Sequence, residues 1–226
     1  AVFLMFGALD GFTVSRAPRH GVKSEFGTVC NSRIEFSGAN GIDSYTTPRI
    51  VTNSTLVVSN TIVRKSGGLG LQTSAVDTRI DDCLITESGS AGVQLFQNDS
   101  TFSGNAIMVP RVSNFWIKAS TISSNLNTGI GLSVFYFNAQ LPVLPILIED
   151  CIIEDNSGGR GGGIADAWAT VNDGSSGVRV NRCMIRRNRA SGNGGGVYFH
   201  GNRSPEIRYS VIEDNVSAGN GGGVQM

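Results

Sequence analysis

Several places in the sequence hold side chains that could perform acid–base chemistry. Asp81 and Asp82 are adjacent carboxylates, and a pair of carboxylates can supply the acid and the base that cleave a glycosidic bond. Asp166 interrupts an otherwise apolar strand position, and His200 follows a strand end, where an imidazole could transfer a proton near neutral pH. We therefore treat Asp166 and His200 as candidate catalytic residues, whereas His20, which lies in a turn, is expected to be solvated.

Aromatic side chains follow several strands in the second half of the sequence and are expected to gather along one edge. Such an edge could bind a sugar chain by ring stacking, while nearby polar groups hydrogen-bond its hydroxyls. The alternative is that these side chains cover neighbouring loops or contact another protein. The candidate binding residues are Phe135, Tyr136, Trp168, Tyr198 and His200.

The elements that must position these residues belong to a repeated unit. In the C-terminal third, residues 149–164, 181–197 and 208–224 each combine an aliphatic strand, an asparagine and a Gly-Gly-Gly-aliphatic turn, and weaker copies occur upstream. The units are spaced by about 29 residues on average, inside the ~20 to 50 residues typical of solenoids and propellers. The Gly-aliphatic anchors are Val22, Ile42, Leu71, Val93, Ile130, Ile164, Val197 and Val224.

Each unit alternates short aliphatic strands with Gly, Asn and Ser turns, and no segment shows a convincing 3.6-residue apolar period. Propeller blades have four strands and run about 40 to 45 residues, which is longer than these units. Units of two or three strands, each paired in parallel with its equivalent in the next unit, fit the spacing better. The sequence therefore predicts an all-β coil of about eight rungs, a single solenoid over residues 1–226.

The segment Leu9-Asp10-Gly11-Phe12-Thr13-Val14 resembles the start of many repeats in the pectin-lyase-like superfamily. The Gly-Gly-Gly-Val/Ile turns are similar to those of surface-displayed β-helices of the polymorphic outer-membrane type. This resemblance implies a right-handed parallel β-helix and covers essentially the whole chain. Asp81-Asp82-Cys83 is also similar to the paired aspartates of polygalacturonase-type glycosidases, but the companion motifs Asn-Thr-Asp, Gly-His-Gly and Arg-Ile-Lys are missing from the sequence.

Stacking of the units gives many polar residues a structural explanation. An asparagine recurs three residues after an inward aliphatic position, which predicts an internal ladder of Asn125, Asn156, Asn188 and Asn215. Cys83, Cys151 and Cys183 share one phase and are expected to be small inward side chains. Cys151 and Cys183 fall on adjacent rungs, about 4.8 Å apart at Cα. Because parallel Cβ vectors orient two sulfurs poorly for a disulfide, we favour free buried thiols.

Charged residues also follow the repeat. Glu154 and Asp155 are followed one unit later by Arg186 and Arg187. Opposite charges on neighbouring parallel strands stabilise a sheet modestly. Most carboxylates are therefore explained without chemistry. The leading hypothesis is a noncatalytic extracellular or cell-surface module, a rigid structural or adhesive rod for surface assembly or for glycan or protein binding. The alternative is a polysaccharide-active enzyme, a lyase or glycoside hydrolase.

Composition limits the partners that we expect. The 18 basic and 18 acidic side chains balance, so the chain lacks the clustered basic charge typical of nucleic-acid binding. The apolar stretch over residues 1–9 is shorter than the ~20 residues of a membrane span. No Cys/His cluster indicates a metal, no cofactor is expected, and Ca²⁺ could bind exposed carboxylates without any spacing that specifies it.

The two ends of the sequence suggest further partners. The chain begins inside an apolar strand and stops partway through a unit at Met226. An uncapped solenoid end exposes core and an unpaired strand edge. We therefore expect a piece of a longer chain, or ends that contact other copies or neighbouring subunits.

Overall fold

The computed structural model describes residues 2–4, 7–24, 27–44, 55–74, 77–98, 114–135, 146–166, 177–200 and 205–226. The regular structure of these residues is β-strand, arranged in one nine-stranded, two eight-stranded and one three-stranded sheet. Each strand pairs in parallel with its equivalent in the next unit. The all-β parallel coil expected from the repeat is therefore confirmed, while its right-handed sense stays a prediction.

The chain passes through the sheets in a fixed order, and we label the sheets A, B, C and D in that order. Sheet A contains Val2–Leu4, Val22–Ser24, Ile42–Ser44, Leu71–Thr73, Val93–Asn98, Ile130–Phe135, Ile164–Asp166, Val197–Phe199 and Val224–Gln225. Sheet B contains Ala8–Asp10, Gly27–Cys30, Thr55–Ser59, Asp77–Asp81, Asn114–Lys118, Ile146–Glu149, Val178–Asn181 and Glu206–Arg208. Sheet C contains Thr13–Ser15, Arg33–Glu35, Ile62–Arg64, Leu84–Thr86, Thr121–Ser123, Ile152–Glu154, Met184–Arg186 and Val211–Glu213. Sheet D contains Ser157–Gly158, Arg189–Ala190 and Val216–Ser217.

The core is built from the inward residues of sheets A, B and C. In sheet C the middle residue of each strand faces inward, so Ile85, Ile122 and Ile153 stack in register and are fully buried. The Gly-aliphatic anchors do the same in sheet A, where Val93 pairs with Ile130 and Ile130 with Ile164. Burial of each such side chain contributes about 1.5 to 3 kcal/mol. Alternation along the three-residue strands of sheet C leaves their first and third side chains on the outer face, whereas in sheet A the middle residue is the outward one.

Sharp corners separate the sheets and depend on one backbone conformation. The residue after each described strand of sheets B and C has a positive φ, for example 52° at Asp82 and 48° at Ala119. This left-handed conformation costs a non-glycine residue about 1 to 2 kcal/mol. Because Phe36, Ala119 and Arg182 adopt it as well as Gly11, residue type did not reveal these corners in the sequence.

The turns from sheet C to sheet A are either short or long. Four residues separate Ser88 from Val93 and Asn125 from Ile130, whereas seven separate Asn156 from Ile164 and eight separate Asn188 from Val197. The added residues form sheet D. In the glycine triplets, the first glycine has a positive φ, 66° at Gly194, while the others allow close stacking between rungs. Turn length therefore changes abruptly in the middle of the described solenoid.

Candidate functional site

A groove of about 560 Å³ lies on the outer surface where the short turns give way to the long ones. Its floor is the outer face of sheet A, and its wall is made by the turns between sheets C and A. The floor includes Gln94, Gly131, Ser133 and Ala165. The wall includes Asn127, Thr128, Gly159, Arg160, Ser191 and Gly192.

Side-chain size along one row of sheet A creates the depression. Gln94, Gly131, Ala165 and Tyr198 are in-register neighbours at the outward position of successive strands. Gly131 and Ala165 therefore form a low floor between two larger side chains. The Gln94 amide lies across this floor and donates a hydrogen bond of 3.0 Å to the Ser133 hydroxyl. A Cβ at Gly131 would meet Gln94 Cδ at 2.9 Å, so it would displace the end of the Gln94 side chain from this floor.

The wall supplies a cation and several hydrogen-bonding groups. The Arg160 guanidinium lies over the Tyr198 ring, 5.6 Å from its centroid, which is a cation–π geometry. The Thr128 hydroxyl donates to the Arg160 carbonyl at 3.3 Å, and the Asn127 side-chain oxygen accepts from the Thr128 amide at 2.8 Å. Within the described part of the chain, Arg160 forms no ion pair. The groove can therefore offer a positive charge beside an aromatic ring.

Tyr198 and His200 form a unit next to the groove. Their rings are stacked with centroids 6.0 Å apart and an interplanar angle of 8°. The Tyr198 hydroxyl and His200 Nδ1 share a hydrogen bond of 3.3 Å. Tyr198 is buried and His200 is exposed. This contact fixes the imidazole against a neighbouring ring.

Asp166 occupies an inward position, where Leu132 and Phe199 are its in-register neighbours. It is only 1% exposed and is the last residue of its strand. Its backbone carbonyl accepts a hydrogen bond of 3.2 Å from the His200 amide. The exposed imidazole and the buried carboxylate therefore do not share one open surface, although the two residues are joined through the backbone.

The strand register of sheet A separates the backbones of two residues of the predicted aromatic edge. Phe135 lies four residues beyond Gly131 on its strand, whereas Tyr198 is in the same row as Gly131. Four residues correspond to about 13 Å along a strand, so the backbones of Phe135 and Tyr198 are separated along sheet A, and the shared edge stays a prediction. Only the backbone of Phe135 is described, and Tyr136 and Trp168 lie outside the described residues.

The remaining acid–base candidates have structural surroundings. Asp81 ends a strand of sheet B, and Asp82 occupies the positive-φ corner, so the adjacent pair follows the repeat. His20 is partly solvated and also lies near a carboxylate. Its side chain is 29% exposed, and Nδ1 lies 3.5 Å from Asp43 Oδ2. The Asn40 amide donates 3.4 Å to the other Asp43 oxygen.

The internal ladder follows the arrangement given by the repeat. The side-chain amide of Asn125 donates to Asn156 at 2.8 Å, that of Asn156 to Asn188 at 3.0 Å, and that of Asn188 to Asn215 at 3.0 Å. Each asparagine also donates to a backbone carbonyl, as Asn156 does to Ile122 at 3.0 Å. These amides therefore form the hydrogen bonds that hold the turns of neighbouring rungs together.

Three of the four cysteines form a second interior column of free thiols. Cys83, Cys151 and Cys183 each donate to the carbonyl two residues earlier, at 3.0 to 3.3 Å. Burial raises the pKa of the Cys83 thiol to about 12. The hydrogen bond with Cys183, together with burial, raises the pKa of Cys151 far above its usual range. A protonated, buried thiol is a poor nucleophile.

Within the described segments, no group of three or more His, Cys, Asp or Glu residues could hold a metal ion. A helix long and apolar enough to cross a membrane is also missing from these segments. The sequence could not reveal Gln94 and Arg160, because their juxtaposition depends on register and turn length. No protein-family model, curated protein or solved structure was found to match the chain.

Proposed function

We propose that this protein is a noncatalytic, extracellular structural or adhesive module that binds a glycan in the groove over Gly131 and Ala165. The observation that supports this proposal is the groove itself, with a low floor, a cation at Arg160 that has no ion-pair partner among the described residues, and amide and hydroxyl groups along one wall. Amides and hydroxyls suit sugar hydroxyls, and the guanidinium favours a glycan that carries carboxylate or sulfate groups.

The parallel solenoid favours a structural role for the rest of the molecule. Its polar residues are largely engaged in stacking one rung on the next, as in the asparagine ladder and the pair of Arg182 with Asp150. Repeated contacts of this kind hold an extended outer surface in a defined shape. Such a surface suits assembly better than a site that must close around a substrate.

Titration calorimetry with neutral and acidic oligosaccharides tests glycan binding. Arg160→Ala should weaken binding of an acidic oligosaccharide about tenfold, because a charge-assisted hydrogen bond is lost. Arg189→Ala is a matched control, since Arg189 is an exposed arginine on the next long turn that does not line the groove. Equal binding by wild type and both variants would remove the groove from the proposal, as would binding to none of the sugars.

A cleavage assay tests the enzymatic alternative, a polysaccharide lyase or glycoside hydrolase. Oligosaccharides are incubated with the protein in the presence of Ca²⁺, and new chain ends are measured. We expect no turnover, because the Asp166 carboxylate is buried away from the exposed His200. Turnover that is lost in both Asp166→Asn and His200→Ala, with the fold retained, would replace the proposal of a noncatalytic module.

A further inference from the structure

The outer face of sheet C carries charges in bands that run along the strands. Each strand presents its first and third residues outward, and a positive-φ corner lies on either side of it. In one rung the outward acidic residues, the acidic band, are Asp150, Glu154 and Asp155. In the next rung the basic band occupies the equivalent positions with Arg182, Arg186 and Arg187.

An apolar side chain lies inside each band. Ile152 is the outward first residue of its strand in the acidic band, and its in-register neighbour in the basic band is Met184. Ile152 is 38% exposed although strands flank it on both sides. The two rungs therefore form a small apolar centre bordered by charges of opposite sign, which we call the banded patch.

We propose that the banded patch is a self-association surface on which a second copy of this chain packs face to face, with its solenoid axis antiparallel. A two-fold axis parallel to the strands, midway between the bands, relates each residue of one band to its equivalent in the other. Asp150, Glu154 and Asp155 then face Arg182, Arg186 and Arg187 of the second copy, and Ile152 faces Met184. The patch is thus self-complementary, as a two-fold interface requires.

The flanking rungs fix this register. On one side, the outward residues Thr121, Ser123 and Ser124 are uncharged, and on the other side lie Glu213 and Asp214. The same two-fold axis places Glu213 and Asp214 opposite the uncharged residues. A shift by one rung would instead place a band opposite its own kind. Like charges in contact disfavour such a shift.

The charged side chains of the banded patch already form ion pairs within one chain, yet they stay exposed enough to contact a second copy. Arg182 Nε lies 2.6 Å from Asp150, and Arg187 Nη2 lies 2.9 Å from Asp155. The Arg182 side chain is nevertheless 50% exposed and that of Asp155 is 43% exposed. A second copy would extend these pairs into networks, which contribute more than isolated surface pairs.

The size of the face predicts a weak interaction. A three-residue strand spans about 10 Å, so the patch is small beside the ~800 Å² that each partner contributes to a standard interface. We therefore expect a reversible dimer whose formation depends on protein concentration and on salt. The inference rests on the assembly role in the proposed function and names a partner for it, and it is independent of the groove.

Sedimentation equilibrium of the 226-residue chain at about 10 to 500 µM, in low and high salt, tests the proposal. We expect a monomer–dimer equilibrium that weakens about tenfold between ~20 and ~500 mM salt. Arg160→Ala, which alters the groove, should dimerise like wild type. Loss of glycan binding without loss of dimerisation would therefore contradict only the groove. A monomer under all conditions, with glycan binding intact, would overturn only the self-association.

A charge-swapped chain tests the antiparallel register without breaking the pairs within one chain. It carries Asp150→Arg, Glu154→Arg, Asp155→Arg, Arg182→Asp, Arg186→Glu and Arg187→Asp. Both corner positions already accept either charge at a positive φ, so we expect the melting temperature of wild type. The swapped chain should dimerise with itself and not with wild type, because each band would then meet a band of its own sign. Wild-type–swapped heterodimers as abundant as homodimers would overturn the register.

Discussion

The two halves of the solenoid solve the same turn in different ways. In the first half, Ser37, Ser66 and Ser88 occupy the buried ladder position before a short turn. In the second half, Asn156 and Asn188 occupy it before a turn lengthened by sheet D. The serine hydroxyls have no hydrogen-bond partner among the described residues, whereas the asparagine amides are bonded on both sides.

This difference shows what the longer turns require. A short turn is held by backbone bonds to the next rung, as from Gly89 N to Ser66 O at 2.7 Å. A turn with three or four more residues loses more conformational entropy on folding, and the side-chain ladder and sheet D supply the added bonds. Asn125 combines the ladder amide with a short turn. It lies at the step where the groove forms.

The largest expected effect on stability distinguishes the asparagine ladder positions of the second half from the serine positions of the first. Asn156→Ala removes the amide that bonds Ile122 O and the oxygen that accepts from Asn125 N at 3.1 Å. Two buried backbone groups lose their side-chain partners, so the free energy of unfolding should fall by about 3 kcal/mol.

Urea denaturation measures this change, with Ser66→Ala as the matched variant in the other half. Ser66 Oγ is buried and has no partner among the described residues, so its removal should alter stability by less than about 0.5 kcal/mol. Similar losses in Asn156→Ala and Ser66→Ala would contradict the distinction between the halves.

Close stacking of the long turns gives the next largest effect. A Cβ at Gly195 would meet the backbone carbon of Val216 at 2.6 Å and would clash with Gly222 O. Gly195→Ala should therefore destabilise the protein by about 2 kcal/mol through overpacking. Gly222→Ala is the matched control, because the nearest atom there is Asn215 O at 3.2 Å. Thermal unfolding of both variants checks that Gly195→Ala loses more stability than Gly222→Ala. An equal loss of stability would show that close stacking of the turns does not require glycine.

A gain in stability is expected where a ladder serine of the first half is replaced by asparagine, the ladder residue of the second half. Ser88 precedes Asn125 in the ladder, and its amide already donates to Asn125 Oδ1 at 3.0 Å. Ser88→Asn would let a side-chain amide bond the same oxygen, which should raise the free energy of unfolding by about 1 kcal/mol. Urea denaturation gives the sign. A loss of stability would mean that the short-turn half is too narrow for the amide.

Most of the fold could be predicted from the sequence, but little of the candidate site could, and the reason is physical. Repetition reveals residues that stack on their own equivalents, so the aliphatic anchors and the phase of Asn156 could be assigned from spacing. The groove depends instead on residues that differ between rungs. Gly131 matters because Gln94 and Tyr198 are larger, and Arg160 reaches the Tyr198 ring because its turn is longer. The pairing of His20 with Asp43 likewise required the register of sheet A.

The smallest expected effect concerns charge at the corners of the two halves. In the second half, the hydrogen bond from Arg182 lowers the pKa of Asp150, so this pair contributes stability above the usual Asp pKa of about 3.9. The contribution is lost as the pH falls through the lowered pKa of the folded state. Arg182→Met should therefore melt slightly below wild type at neutral pH, and this difference should vanish near pH 2.

Lys65→Met is the matched variant of the first half, because Lys65 also occupies a corner and contacts Glu87 at 3.6 Å. The longer contact should make its melting difference at neutral pH smaller than that of Arg182→Met. Calorimetry of the three proteins at neutral and acidic pH measures both differences. An Arg182→Met difference that persisted unchanged at pH 2 would show that the arginine stabilises by packing of its stem, because the protonated Asp150 no longer attracts it.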